Sequence, residues 1–172
     1  MMPPSEHSAV VVDDHPLVAR GIADFLRTHG GFARTDAICR ADDLWAHIGQ
    51  FGAPTLAMID FWLPEGTALP MLARFRDEYP ATRLLVISGD GDPVIRDKVR
   101  RLAVDGFVLK HADPAVFVLA VAAVLRGDAW FDDTSVVAQA TDEARSLPLS
   151  PAELGLTPRQ GEVLALMLKG LP

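Results

Sequence analysis

The stretch LLVISGDGDPVIRDKV, residues 84–99, decides the fold. Leu84, Leu85, Val86 and Ile87 make a continuous apolar run, as a strand covered on both faces requires. Asp92 then stands where a helix N-cap belongs and Pro93 fits the first turn. Ile95, Val99 and Leu102 follow at helical spacing. The same strand-then-helix unit recurs on either side. Upstream, Ala9–Val12 precedes a helix with Leu17, Val18, Ile22, Phe25 and Leu26 on one stripe, stopped by Gly30-Gly31. A weaker strand near Phe32–Ile38 leads into a helix around Asp42–Ile48. Leu56–Ile59 is a third strand, and Leu69, Leu72 and Phe75 mark a third helix that stops before Pro80. Downstream, Phe107–Leu109 is the fifth strand, and Asp113-Pro114 opens a helix that is apolar nearly all round to Leu125, ended by Gly127. Five such units predict a doubly wound α/β sandwich, (βα)5, around a parallel sheet.

Composition bounds what this fold does. Of 172 residues, 16 are Lys or Arg and 23 are Asp or Glu, a net charge of −7 that argues against a surface gripping nucleic acid throughout. Residues 145–172 differ, with three basic and two acidic side chains. The single cysteine, Cys39, forms neither an internal disulfide nor a zinc site, which suits a reducing compartment. The first residues lack a signal-peptide pattern, and Ala115–Leu125 is too short to span a membrane, so a soluble, cytoplasmic protein is expected. Beyond Gly127 the pattern weakens. Trp130-Phe131 is expected to pack back on the body, Thr134–Ala140 to offer one more helix, and Ser146–Pro151 to be linker.

In open α/β sheets ligands bind beyond the carboxyl ends of the strands. Asp13 and Asp14 follow the first strand, Asp60 the third, Ser88 the fourth and Lys110 the fifth. Taken singly, each has a plain structural explanation: a helix cap, a turn residue, a solvated charge. Placed together at four strand ends, three carboxylates repel one another by an amount on the order of several kcal/mol unless a cation sits among them. Hard carboxylate oxygens suit Mg²⁺. His15 is close by, although the start of a helix also accounts for it. No Gly-rich phosphate loop follows the first strand, which weighs against a nucleotide- or flavin-binding enzyme on the same fold. Trp62, two residues after Asp60, stands where an aspartyl phosphohydrolase would want a second Asp.

Val11-Val12-Asp13-Asp14-His15-Pro16, Ile59-Asp60-Phe61-Trp62-Leu63-Pro64-Glu65-Gly66, Ile87-Ser88-Gly89 and Gly106-Phe107-Val108-Leu109-Lys110 together resemble the receiver signature of two-component response regulators. Leu156-Thr157-Pro158-Arg159-Gln160-Gly161-Glu162-Val163-Leu164 is similar to the opening of a LuxR-type (NarL/FixJ) helix-turn-helix output. The resemblance implies a flavodoxin-like strand order 2-1-3-4-5, a receiver over residues 1–128, a linker with a possible helix over 129–154, and the first helix of a truncated DNA-binding domain over 155–172. It implies that Asp60 accepts a phosphoryl group from a sensor histidine kinase. Asp13, Asp14, Asp60 and the Trp62 backbone carbonyl would hold Mg²⁺, Ser88 and Lys110 would bind phosphoryl oxygens, and Gly89 would leave their entrance open. Ser88 and Phe107 would form the switch, with Phe107 turning inward. Such a protein is a phospho-accepting signalling switch and not an enzyme on other substrates. It is expected to dimerise when phosphorylated and, at full length only, to bind promoter DNA and regulate transcription. Trp62 offers no group to orient water and Asp90 is the nearby polar residue, so the two are expected to set slow dephosphorylation. The alternative readings are a phosphorylation-independent interaction module and, third, the nucleotide or flavin enzyme. The family often has Pro after the lysine, in a cis peptide; His111 stands there, so none is expected. Arg96, Lys98, Arg100 and Arg101 make a basic helix face, either solvated or a partner surface.

Overall fold

The computed structural model describes residues 7–131. Strands β1 (Ser8–Val12), β2 (Arg34–Ile38) and β3 (Leu56–Asp60) alternate with helices α1 (Pro16–His29) and α2 (Ala41–Phe51). A two-residue hairpin, β4 (Trp62–Leu63) and β5 (Gly66–Thr67), precedes α3 (Leu69–Glu78). Then come β6 (Arg83–Ser88), α4 (Pro93–Arg101), β7 (Gly106–Leu109), α5 (Pro114–Arg126) and β8 (Trp130–Phe131). The main sheet has the order β2-β1-β3-β6-β7-β8, with every pair parallel. Its first five strands are the five apolar runs of the sequence in the order 2-1-3-4-5.

Two cores cover the sheet. Ala9, Val11, Met58, Leu85, Ile87 and Val108 face α1 and α5. Val10, Val12, Ile59, Leu84, Val86 and Phe107 face α2, α3 and α4. This alternation explains why the central strands are apolar at every position: both faces are covered. Strand β2 reads weakly because it is the outer strand, with only Ile38 buried. The expected caps form. Asp92 Oδ1 accepts from the Val94 N–H at 2.8 Å, Asp113 Oδ1 from the Ala115 N–H at 2.9 Å, and Gly127 closes α5 in the left-handed region at φ 94°.

Leu17 departs from the expected stripe and is 68% exposed. It lies five residues before Ile22, about 140° round the helix. Ala19 and Ala23 fill that face instead, allowing α1 to approach the sheet closely. The hairpin β4–β5 was not foreseen: Trp62 pairs with Thr67 and Leu63 with Gly66, whose φ of 125° favours glycine. Trp130-Phe131 does pack back, as a sixth strand beside β7, within the stretch 129–154 assigned to linker. The described residues contain no cis peptide bond, in keeping with His111 after Lys110. No helix among them is long and apolar enough to cross a membrane. The expected helix at Thr134–Ala140, the linker at Ser146–Pro151 and the segment from Leu156 lie outside the described residues.

Candidate functional site

Five polar or charged side chains are buried among the described residues, and four of them, Asp13, Asp60, Ser88 and Lys110, sit at the carboxyl edge of the sheet. Burial of polar groups at one edge needs local partners. Asp13 follows β1 and is fully buried, its N–H donating to the Ile38 carbonyl at 3.1 Å. Asp60 ends β3, and Ser88 ends β6. The Lys110 N–H donates to the Ser88 carbonyl at 2.8 Å, so the ends of β6 and β7 are held side by side.

One ammonium joins the carboxylates. Lys110 Nζ donates to Asp13 Oδ2 and to Asp60 Oδ2, both at 2.7 Å. Burial works against the Lys110 charge, yet the bonds to Asp13 and Asp60 outweigh it and hold its pKa above the usual lysine value. Burial lifts the Asp60 carboxyl above the usual carboxylate range. Lys110 and the Trp62 N–H pull it down, the Asp13 charge pushes it up, and burial prevails. The Trp62 N–H reaches Asp60 Oδ1 at 3.3 Å, held there by the hairpin.

Asp14 and His15 complete the edge. The His15 N–H donates to Asp13 Oδ1 at 2.9 Å. The ring folds back, so Nδ1 lies 3.0 Å from Asp13 Oδ1 and 2.9 Å from Asp14 Oδ1. Asp14 Oδ1 is buried, with the His15 ring nitrogen beside it. One ligand atom each from Asp13, Asp14, His15 and Asp60 fall within 4.8 Å of one another. A buried Asp14 oxygen outside the Lys110 bridge, beside two more carboxylates, fits a hard divalent cation such as Mg²⁺.

Not every residue singled out in the sequence joins this cluster. Trp62 is 50% exposed, its ring edge-on to Phe61 at 5.0 Å. Ser88 Oγ accepts from the Asp90 N–H at 3.0 Å, tying the hydroxyl into the turn before α4. Asp90 is exposed, and its Oδ1 accepts from the Asp92 N–H at 3.0 Å within the same turn. Phe107 is already inward and fully buried, with the Arg96 guanidinium 5.6 Å from its ring centre. A Cβ at Gly89 would meet nothing within 4 Å, so this corner of the site is open. The sequence places His15 beside the carboxylates, with a helix start as a sufficient alternative explanation. The signal was its place directly after two carboxylates, where the turn into α1 swings the ring back over them.

The family model described as response regulator receiver domain matches residues 9–122. The transcriptional activator protein ExaE of Pseudomonas putida is 29% identical over 164 residues, covering 95% of this chain and 76% of that protein. The oxygen regulatory protein NreC of Staphylococcus carnosus is 26% identical over 168 residues, covering 94% and 76%. Among solved structures, a LuxR family DNA-binding response regulator from Silicibacter pomeroyi superposes with a TM-score of 0.61 at 27% identity, over 75% of this chain and 98% of that one.

Proposed function

The chain belongs to the response regulator receiver domain family, and on that premise we propose that Asp60 is its phospho-acceptor. A carboxylate oxygen of Asp60 attacks the phosphorus of a phosphohistidine on a sensor kinase. The P–O bond forms as the P–N bond breaks, and the electron pair leaves with the imidazole nitrogen, which keeps or takes up a proton. The observation that carries this reading is the bridge of Lys110 Nζ to Asp13 and Asp60 at 2.7 Å, on the edge where Asp14 also stands. Lys110 is placed to exchange a carboxylate for a phosphoryl oxygen without moving far, and Ser88 offers a hydroxyl on the neighbouring strand. Asp13, Asp14, Asp60 and the Trp62 carbonyl would hold Mg²⁺, which supplies charge neutralisation when one anion approaches another.

Phosphorylation is the input by which the protein regulates transcription, as in the LuxR-type regulators it resembles. Residues 1–128 form the receiver in this reading, 129–154 the linker, and 155–172 the opening of the helix-turn-helix output. Promoter DNA is a partner through that output, phosphorylation favours a homodimer, and the setting is the cytoplasm. Ser88 and Phe107 form the switch. Trp62, bulky and half exposed beside the acceptor, shields the acyl phosphate from water, with Asp90 as the nearby polar side chain.

Intact mass after incubation with acetyl phosphate and Mg²⁺ tests the proposal. The expected result is one phosphoryl increment, absent in Asp60→Asn and absent in chelator. An increment that survives Asp60→Asn refutes it. Trp62→Asn should hasten loss of the group, and an unchanged rate removes Trp62 from that role.

A further inference from the structure

We propose that His15 supplies a nitrogen ligand to the metal held at this edge, so that the site favours transition-metal ions over Mg²⁺ more than a set of carboxylates would. This rests on the reading of the acidic cluster as a metal site. Lys110 takes Oδ2 of both Asp13 and Asp60, which leaves Asp13 Oδ1 and Asp14 Oδ1 toward the His15 ring. His15 Nδ1 lies 3.0 and 2.9 Å from those two oxygens. Neighbouring donors in an octahedral shell with bonds of about 2.1 Å are about 3.0 Å apart, so the ring nitrogen stands from each oxygen at the spacing of adjacent ligands on one ion. The 4.8 Å limit on all four residues fits the span across such a shell, about 4.2–4.8 Å for bonds of about 2.1–2.4 Å.

The ring is not needed elsewhere. His15 is the N-cap of α1, yet its side chain makes no capping bond, and it is 67% exposed. Hard oxygen ligands suit Mg²⁺, whereas imidazole suits Fe²⁺, Ni²⁺ and Zn²⁺. One nitrogen among carboxylates therefore raises affinity for the second class and leaves the first nearly unchanged.

Pulsed electron paramagnetic resonance on Mn²⁺ bound to the full chain, with calorimetric titration of Mg²⁺ and Ni²⁺, tests this. The expected result is a coupling from directly bound ¹⁴N in the wild type, lost in His15→Ala. Ni²⁺ affinity should fall about tenfold or more, with Mg²⁺ affinity held within about twofold. Circular dichroism confirms that His15→Ala keeps its fold. Mn²⁺ binding without nitrogen coupling overturns the assignment of His15 while the Asp60 chemistry stands. An equal loss for both ions in His15→Ala also overturns it. Failure of the wild type to bind any of the three ions removes the metal reading beneath it, whatever the phosphorylation assay gives.

Discussion

Alanine at Gly106 is expected to destabilise the fold by forcing β8 off the sheet. An added Cβ would lie 2.7 Å from Leu85 Cδ1 and 2.8 Å from the Trp130 carbonyl oxygen. Leu85 is fully buried, so its methyl has little room to withdraw. The second contact is with backbone, and β8 must shift to relieve it. Crowding of this kind costs about 1–3 kcal/mol. The φ at Gly106 is not positive, so alanine also restricts the unfolded chain, a gain of about 0.4–1 kcal/mol. The balance is a loss of about 1–2 kcal/mol, or roughly 3–8 °C in Tm for a chain of this size. Thermal unfolding gives the magnitude, and exchange of the Trp130 amide gives the cause, because that N–H donates to the Asp105 carbonyl at 2.9 Å. A Gly106→Ala protein with wild-type Tm and a protected Trp130 amide would refute the reasoning.

Asp105→Ala should lower stability by about 2–3 kcal/mol, because Asp105 accepts from Arg76 at 2.5 Å, Arg83 at 3.1 Å and the Leu84 N–H at 2.7 Å; the urea midpoint measures it, and an unchanged midpoint refutes it. Burial lowers the His29 pKa below 6.5, so the unfolded chain takes up a proton that the folded one resists. Stability held above pH 6.5 therefore declines as pH falls below it, and His29→Gln should flatten that slope in unfolding curves from pH 7.5 to 5. A divalent ion at about 100 times its Kd should add about 2.7 kcal/mol to the unfolding free energy. Asp14→Ala should abolish most of that gain in a thermal-shift titration, and an undiminished gain would remove Asp14 from the metal site.

The legible parts of this molecule are those where one physical requirement dominates the sequence. Val10–Val12 and Leu84–Ile87 had to be apolar on both faces, and they read as buried parallel strands. Asp92-Pro93 and Asp113-Pro114 carry their helix starts in local chemistry, and both caps formed. Asp13, Asp60, Ser88 and Lys110 were legible because strand ends on one edge must meet once the sheet is parallel. What the sequence hid depends on three-dimensional fit. Leu17 is apolar and near the stripe, but helical geometry turns it outward. The hairpin at Trp62–Thr67 has only two residues a side, too few for any periodicity. The sixth strand is equally short, and its place depends on the missing Cβ of Gly106, which no pattern announces. His15 had a sufficient local explanation as a helix start. Its contact with Asp14 follows from the way the chain turns after β1.

The arrangement at the sheet edge also explains how so much charge is tolerated there. A lone buried carboxylate would protonate rather than stay ionised, and burial does lift Asp60 in that direction. Lys110 opposes this by bonding Asp60 and Asp13 at once, which keeps both oxygens paired and the ammonium charged. Asp14 stands outside that bridge, its buried Oδ1 beside the His15 ring at 2.9 Å. By formal charge, three carboxyl side chains stand against one lysine, a difference of two that a divalent ion matches. The lysine thus holds Asp13 and Asp60 together. Its two bonds run from the end of β7 to Asp60 on β3 and to Asp13 just past β1, strands that are not neighbours of β7 in the sheet. In the reading proposed above, a phosphoryl group on Asp60 that drew Lys110 toward itself would leave the buried Asp13 carboxylate without its ammonium partner.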